Sequence, residues 1–148
     1  MPAEPRLFSA GYEKRSLADF VALLRSHGAS LVLDVRDVAW SHKPGFSKAP
    51  LLAGLAVAGI RYHHAKFAGN PKSLRRDAGG LPEMLRRYRG HLAANPQIPR
   101  AFAELVRAAF AEGLAPAVMC FERDPAECHR TILLERCEAA IGVAAREI

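Results

Sequence analysis

AVMCFERDPAECHR, residues 117–130, decides the fold of this chain because it predicts a buried strand, a short link and a helix start. Residues 117–121 form a short, uninterrupted apolar run, which is typical of a strand covered on both faces. Asp124 then offers a capping carboxylate and Pro125 suits the first helical position, so we predict a helix over residues 124–140. A strand that passes into a helix through a short link is the repeating unit of an α/β sheet.

The same alternation of strands and helices recurs along the rest of the chain. We predict further strands at 7–10, 31–35, 60–64 and 143–148, and further helices at 17–27, 47–58, 82–91 and 99–112. Residues 65–80 carry glycine, proline and arginine without periodicity and are predicted to form a long loop, a candidate lid. The pattern predicts one domain over residues 1–148, a three-layer α/β/α sandwich with a Rossmann-like, mostly parallel sheet of about five strands.

Composition narrows the environment and the partners of the chain. A formal net charge of +6 favours anionic partners such as nucleotides or nucleic acid, although a solvated, arginine-rich surface explains it equally well. No run of about 18 apolar residues and no signal-peptide pattern is present, so we expect no membrane association and a cytoplasmic location. The three cysteines are expected to be free thiols.

Chemically reactive side chains cluster at the ends of the predicted strands. In a parallel sheet, ligands bind beyond the carboxyl ends of the strands, where the connections diverge. We therefore expect one crevice lined by polar groups from four strand ends. These groups are Tyr12, Asp34, Arg36, His64, Cys120 and Glu122.

Four residues of this crevice are candidates for catalysis. Asp34, His64 and Glu122 are acid/base candidates, and Cys120 is a candidate nucleophile activated by the helix start that follows it. Cys120 can equally be a small buried hydrophobic residue. Asp34 and Arg36 share one side of a strand, where they either pair with each other or divide proton transfer and anion binding.

Six residues are candidates for binding an anionic substrate. They are Tyr12, Arg36, Lys48, Cys128, His129 and Arg130. Free N–H groups at the predicted helix start would favour the same anion, although Cys128 shares a face with Ile132 and is also a candidate core residue. Thiols and imidazoles raise the question of zinc, but their spacing matches no common zinc signature, so we assign no metal and leave the cofactor unknown.

Several short motifs resemble those of one family. They are Gly11-Tyr12, Arg15-Ser16-Leu17, Leu33-Asp34-Val35-Arg36, Lys43-Pro44-Gly45-Phe46-Ser47-Lys48, Gly59-Ile60-Arg61-Tyr62-x-His64 and Cys120-x-Glu122-x5-Cys128-His129-Arg130. In this order they are similar to the family called domain of unknown function 488, over nearly the whole chain. The resemblance implies a three-layer α/β fold and a signature centred on the crevice, and it implies no reaction.

Three hypotheses for the function follow from these observations. The leading one is a small enzyme that acts on a phosphate-bearing substrate, a nucleotide or nucleic acid. A second is a module that binds nucleic acid or an anion without turnover, through the basic residues between Lys72 and Arg89. A third is a redox sensor in which Cys120 and Cys128 form a thiol pair. Oligomeric state is left open.

Overall fold

A five-stranded parallel sheet forms the centre of the structure, a computed structural model that describes residues 4–148. Its strands are β1 (Leu7–Gly11), β2 (Leu31–Asp34), β3 (Arg61–His64), β4 (Pro116–Cys120) and β5 (Ala145–Glu147). They lie in the order β3-β2-β4-β1-β5, and all neighbours run parallel. Residues 1–3, part of the N-terminal segment considered above for a signal peptide, lie outside the described residues.

Helices cover both faces of this sheet. They are α1 (Leu17–His27), α2 (Lys48–Val57), α3 (Lys72–Arg75), α4 (Leu81–Ala94), α5 (Gln97–Ala111) and α6 (His129–Ile141). One apolar layer joins α1 and α2 to the sheet, with Phe20 and Leu51 fully buried, and another joins α4, α5 and α6, with Phe102 and Leu133 fully buried. The predicted three-layer α/β/α fold is confirmed.

Helix α1 illustrates how local signals set the elements. Ser16 accepts a hydrogen bond from the backbone N–H of Asp19 at 3.0 Å, and Gly28, at φ 77°, ends the helix in the left-handed conformation. A serine before an apolar periodic segment and a glycine after it are recognisable in the sequence as a helix cap and a helix stop. That prediction is confirmed at both ends.

The predicted helix start at Asp124 is wrong by one turn. Asp124 caps only a 3₁₀ turn, Pro125–Glu127, by accepting the N–H of Ala126 at 2.9 Å. The carbonyl of Pro125 accepts the Cys128 N–H and the Thr131 hydroxyl, which closes this turn on itself. Cys128 is therefore extended (φ −121°, ψ 138°), and α6 begins at His129.

The segment 65–80 is more ordered than the predicted loop. It contains a 3₁₀ turn, Lys66–Ala68, and the short helix α3. Tyr88 of α4 donates its hydroxyl proton to the carbonyl of Ala68 at 2.8 Å, which ties the segment to the core. Within residues 4–148, no helix combines the length and the apolar content needed to cross a bilayer.

Candidate functional site

A cleft of about 930 Å³ opens at the carboxyl ends of β1, β2 and β4. Five of the residues singled out in the sequence line it: Tyr12, Arg36, Cys120, Glu122 and His129. These residues come from three strand ends and the start of α6, as expected for a parallel sheet. Five others do not line it: Asp34, Lys48, His64, Cys128 and Arg130.

A thiol–imidazole pair lies at the floor of this cleft. The Sγ atom of Cys120 is 3.6 Å from Nδ1 of His129, and Nε2 of His129 is 2.8 Å from the carbonyl oxygen of Val35. A carbonyl oxygen only accepts, so Nε2 carries the proton and the Nδ1 lone pair of the neutral ring faces the thiol. The ring of Tyr88 packs edge-on against His129 at 4.9 Å between centroids and fixes its orientation. The imidazole can therefore take the thiol proton.

Cys128 brings a second thiol to the same place. Its sulfur, that of Cys120 and a ring nitrogen of His129 all lie within 4.8 Å of one another. Burial raises the pKa of the Cys128 thiol well above its ordinary value, and the neighbouring Cys120 raises it further. Cys128 is 1% exposed and lies behind the pair. These three side chains offer the donor set of a metal site.

The Asp34 carboxylate has a structural role and does not line the cleft. It is fully buried, and Oδ1 accepts from Nε and the backbone N–H of Arg36 at 2.9 and 3.1 Å. Oδ2 accepts from Nη2 of Arg36 at 2.7 Å and from the Tyr62 hydroxyl at 2.6 Å. Four donors occupy the carboxylate, so the ion pair, one of the two alternatives for Asp34, is formed. It offers no free lone pair to a substrate.

Arg36 lines the cleft but is also held from behind. Its Nη1 donates to the Tyr12 hydroxyl at 3.2 Å and to the Phe46 carbonyl at 2.6 Å, in addition to its bonds with Asp34. One of its five N–H groups is left for a ligand. Burial by itself lowers the pKa of Arg36, but the bonds and charge of Asp34 outweigh it and raise the pKa.

His64 and Lys48 lie away from the cleft. His64 donates from Nε2 to the carbonyl oxygen of Arg36 at 2.7 Å and so supports the strand end from outside. Lys48 opens helix α2 beyond the turn at Pro44 and Gly45. Side chains alternate along a strand, so only one of His63 and His64 can point to a given face of the sheet. The sequence does not indicate which of the two points toward the cleft.

Arg130 is fully buried and joins three segments. Its Nε donates to Ser9 Oγ at 2.8 Å, Nη2 to Glu147 Oε2 at 2.7 Å, and Nη1 to the carbonyl of Glu122. It therefore holds β1, β5 and the loop after β4 together. Because α6 starts later than predicted, Arg130 points into the sheet and not into the cleft.

Further cleft residues come from loops and from the short helix α3, which the sequence could not place. Lys14, Lys43, Lys72 and Arg75 line the walls, as does Asn70. Lys43 and the segment holding Lys72 and Arg75 are recognisable as basic in the sequence, whereas nothing marks Lys14 or Asn70. Asn70 is 5% exposed, and its Oδ1 has no hydrogen-bond partner among residues 4–148. This oxygen is itself shielded from solvent, so it is a buried acceptor beside the cleft and not an open binding group within it.

One protein-family model matches the chain. It is described as Domain of unknown function DUF488 and covers residues 16–137 of the 148. The matched range contains Arg36, Cys120, Cys128 and His129, whereas Tyr12 lies before it. No curated protein and no solved structure matches the chain.

Proposed function

The chain belongs to the DUF488 family, whose description names no reaction, and we propose that it is a small enzyme that binds a phosphate-bearing substrate of the nucleotide class in the cleft. The chemistry takes place at Cys120 and His129. The observation that carries the proposal is the position of this pair. A thiol 3.6 Å from an oriented imidazole acceptor lies at the floor of a cleft large enough for a small molecule.

Three lysine side chains in the cleft walls support a phosphate-bearing substrate. Lys14, Lys43 and Lys72 line the cleft, and none of them forms an ion pair within the described part of the chain. Arg75 also lines it, 3.6 Å from Asp37. These lysines come from two loops and the start of α3 and offer direct contacts to a phosphate, whereas Glu13, Asp37, Glu122 and Glu127 line the same cleft and offset their long-range field. Arg36 adds its one free N–H.

Two aromatic side chains in the cleft support a nucleotide more than a bare phosphate. Trp40 is 57% and Phe121 41% exposed, and both line the cleft. Exposed aromatic rings in a cleft provide faces for stacking a base.

Two chemistries are open to the reactive pair. In one, His129 takes the proton of Cys120, the thiolate attacks a phosphorus atom of the substrate, and the P–O bond to the leaving group breaks. The departing oxygen takes a proton from His129, with Glu122 at the cleft wall as the further acid or base. In the other, both residues would hold a metal ion, which would supply Lewis-acid chemistry toward a bound water. Both require Cys120 and His129.

Ligand screening followed by assays of variants tests the proposal. We expect nucleoside phosphates to raise the thermal midpoint of the wild type, and Lys43→Gln with Lys72→Gln to reduce that shift. Cys120→Ser and His129→Gln should lower turnover of the bound compound by about 100-fold or more, the scale of lost acid–base or nucleophilic catalysis. They should leave its binding largely intact.

Cys137→Ser is the matched control, because Cys137 is a buried free thiol outside the cleft. It should retain both binding and turnover. The proposal is abandoned if no phosphate-bearing compound shifts the wild type, or if Cys120→Ser turns over the bound compound at the wild-type rate.

A further inference from the structure

We infer that Cys120, Cys128 and His129 bind one Zn²⁺ ion at the floor of the cleft, with a fourth coordination position open to the substrate. The three donor atoms lie within 4.8 Å of one another, and Sγ of Cys120 and Nδ1 of His129 are 3.6 Å apart. Tetrahedral zinc at its usual bond lengths requires donors roughly 3.4 to 3.8 Å apart. Small side-chain adjustments therefore bring all three to bonding distance.

The orientation of His129 is that of a metal ligand. Its Nε2 donates to the backbone carbonyl of Val35 at 2.8 Å, which leaves Nδ1 as the free lone pair on the side of the two sulfurs. Histidines that bind metals characteristically donate their other N–H to a carbonyl or carboxylate, which fixes the ring and its tautomer. Val35 directly follows β2, so the central sheet holds this ring in place.

The fold brings the two sulfurs together from positions eight residues apart. Cys120 ends β4, and Cys128 occupies the N-cap position of α6 after the Pro125–Glu127 turn has reversed the chain. All three residues are nearly buried, with exposures of 5% for Cys120, 1% for Cys128 and 7% for His129. Two thiolates and a neutral imidazole balance the charge of Zn²⁺, so the assembly is neutral in a buried place.

The fourth position of the ion faces the cleft. Cys120 and His129 line the cleft, whereas Cys128 lies behind them, so the side of the site away from Cys128 is open. Three protein ligands with one open position is the arrangement of catalytic zinc, in contrast to the four closed ligands of structural zinc. A water or a phosphate oxygen of the substrate takes that position, where the ion lowers the pKa of the water or polarises the phosphoryl group.

Metal titration of the full chain tests this inference. The metal-free, reduced wild type should bind one equivalent of Zn²⁺, and Co²⁺ in its place should give the thiolate charge-transfer and tetrahedral d–d absorption of a sulfur-ligated site. Cys128→Ser should weaken Zn²⁺ binding by more than tenfold, because even the loss of a group that only orients a ligand costs about 10–100-fold. Cys137→Ser, which replaces a buried thiol bonded to Pro99, should bind like the wild type.

A measurement on the unmodified protein guards against a Cys128→Ser variant that does not fold. Zn²⁺ should protect Cys120 and Cys128 of the wild type from alkylation, as located by peptide mass spectrometry, and should raise the thermal midpoint. Binding of equal strength by Cys128→Ser and the wild type would overturn the inference. So would a wild type that takes up no stoichiometric Zn²⁺ or Co²⁺.

The inference rests on the proposed function for the role of the ion in the reaction, but not for the binding of the ion. Metal titration needs no substrate, so the two fail separately. A chain that turns over a nucleotide without binding metal keeps the proposed function and leaves Cys120 as the nucleophile. A chain that binds Zn²⁺ but no phosphate-bearing compound keeps the metal site and loses the substrate assignment.

Discussion

Asp34 is a residue whose chemistry suggests catalysis and whose surroundings assign it to structure. The sequence places Asp34 and Arg36 on the same side of a strand end. It leaves open whether they pair with each other or divide proton transfer and anion binding. What decides between them is the Tyr62 hydroxyl, which arrives from β3 and completes the set of donors. A contact between strands 28 residues apart depends on register, which short motifs do not encode.

Removing the Asp34 charge should destabilise the protein strongly. Asp34→Asn keeps the shape but leaves the Arg36 guanidinium buried without its counter-ion, which costs about 3–5 kcal/mol. Glu83→Gln is the control, because Glu83 pairs with Arg86 and Arg87 at the surface, where solvent screens the pair, and its loss should destabilise the protein far less. Urea unfolding measures both. Equal losses for the two variants would contradict the structural role of Asp34.

Cys137 should make stability fall at alkaline pH. Burial raises the pKa of its thiol from 9.0 to about 12. The thiol has a higher pKa in the folded protein than in the unfolded chain. The stability that the protonated Cys137 thiol contributes is therefore complete below pH 9.0 and is lost as the pH rises toward 12. Over that interval, the free energy of unfolding of Cys137→Ala should fall less steeply than that of the wild type, by up to about 1.4 kcal/mol per pH unit. Reversible urea unfolding of the reduced proteins measures the slopes, and parallel curves would refute the assignment.

At the level of elements, two glycines differ in whether a side chain at their position would collide with the backbone. A Cβ on Gly11, at the end of β1, would overlap the main-chain carbonyl of Glu122, whereas a Cβ on Gly90, inside α4, would meet nothing within 4 Å. Gly11 is thus the point where β1 and the loop after Cys120 touch. A side chain there must displace that loop.

Alanine at these two glycines should change stability in opposite directions. Gly11→Ala should cost about 1–3 kcal/mol through overpacking and should also weaken Zn²⁺ binding, because the loop carries the main chain on from Cys120. Gly90→Ala should stabilise the protein by about 0.5–1 kcal/mol through helix propensity and leave metal binding unchanged. Chemical unfolding and zinc titration provide the two readouts. A neutral Gly11→Ala would show that the contact is loose.

Local signals predicted the elements well and their junctions poorly. The helix at 17–27 has a hydroxyl cap and a glycine stop, and both operate in the structure. Asp124 and Pro125 carry equally good signals but serve a single 3₁₀ turn, because Thr131 and Cys128 both bond back to Pro125. A capping residue shows where a turn starts but not how many residues the helix then contains. The sequence therefore did not show that Arg130 points into the sheet.

For the whole molecule, the distribution of charge bears on the choice between a small anion and a nucleic-acid strand as the proposed ligand. The basic residues of α4 and its surroundings are largely engaged: Arg87 bonds Glu83 and the carbonyl of Arg76, and Arg89 lies 3.7 Å from Glu135. The lysines of the cleft have no such partners among residues 4–148. The composition gives the excess of +6, but only the fold shows that Lys14, Lys43 and Lys72 line one cleft, together with the acidic Glu13, Glu122 and Glu127.

Comparing ligands of different length should therefore show a preference for the small anion. Changing Lys14, Lys43 and Lys72 together to Gln should weaken binding of inorganic pyrophosphate by more than tenfold, because it removes the charges that face the cleft. Changing Arg86 and Arg89 to Gln, outside the cleft, should have little effect. Calorimetry with pyrophosphate and anisotropy with a labelled single-stranded oligonucleotide provide the measurements over a range of salt. A nucleic-acid module predicts the reverse: tighter binding of the oligonucleotide, a logarithmic salt slope steeper than about −4 for six or more phosphates, and loss of binding on changing Arg86 and Arg89.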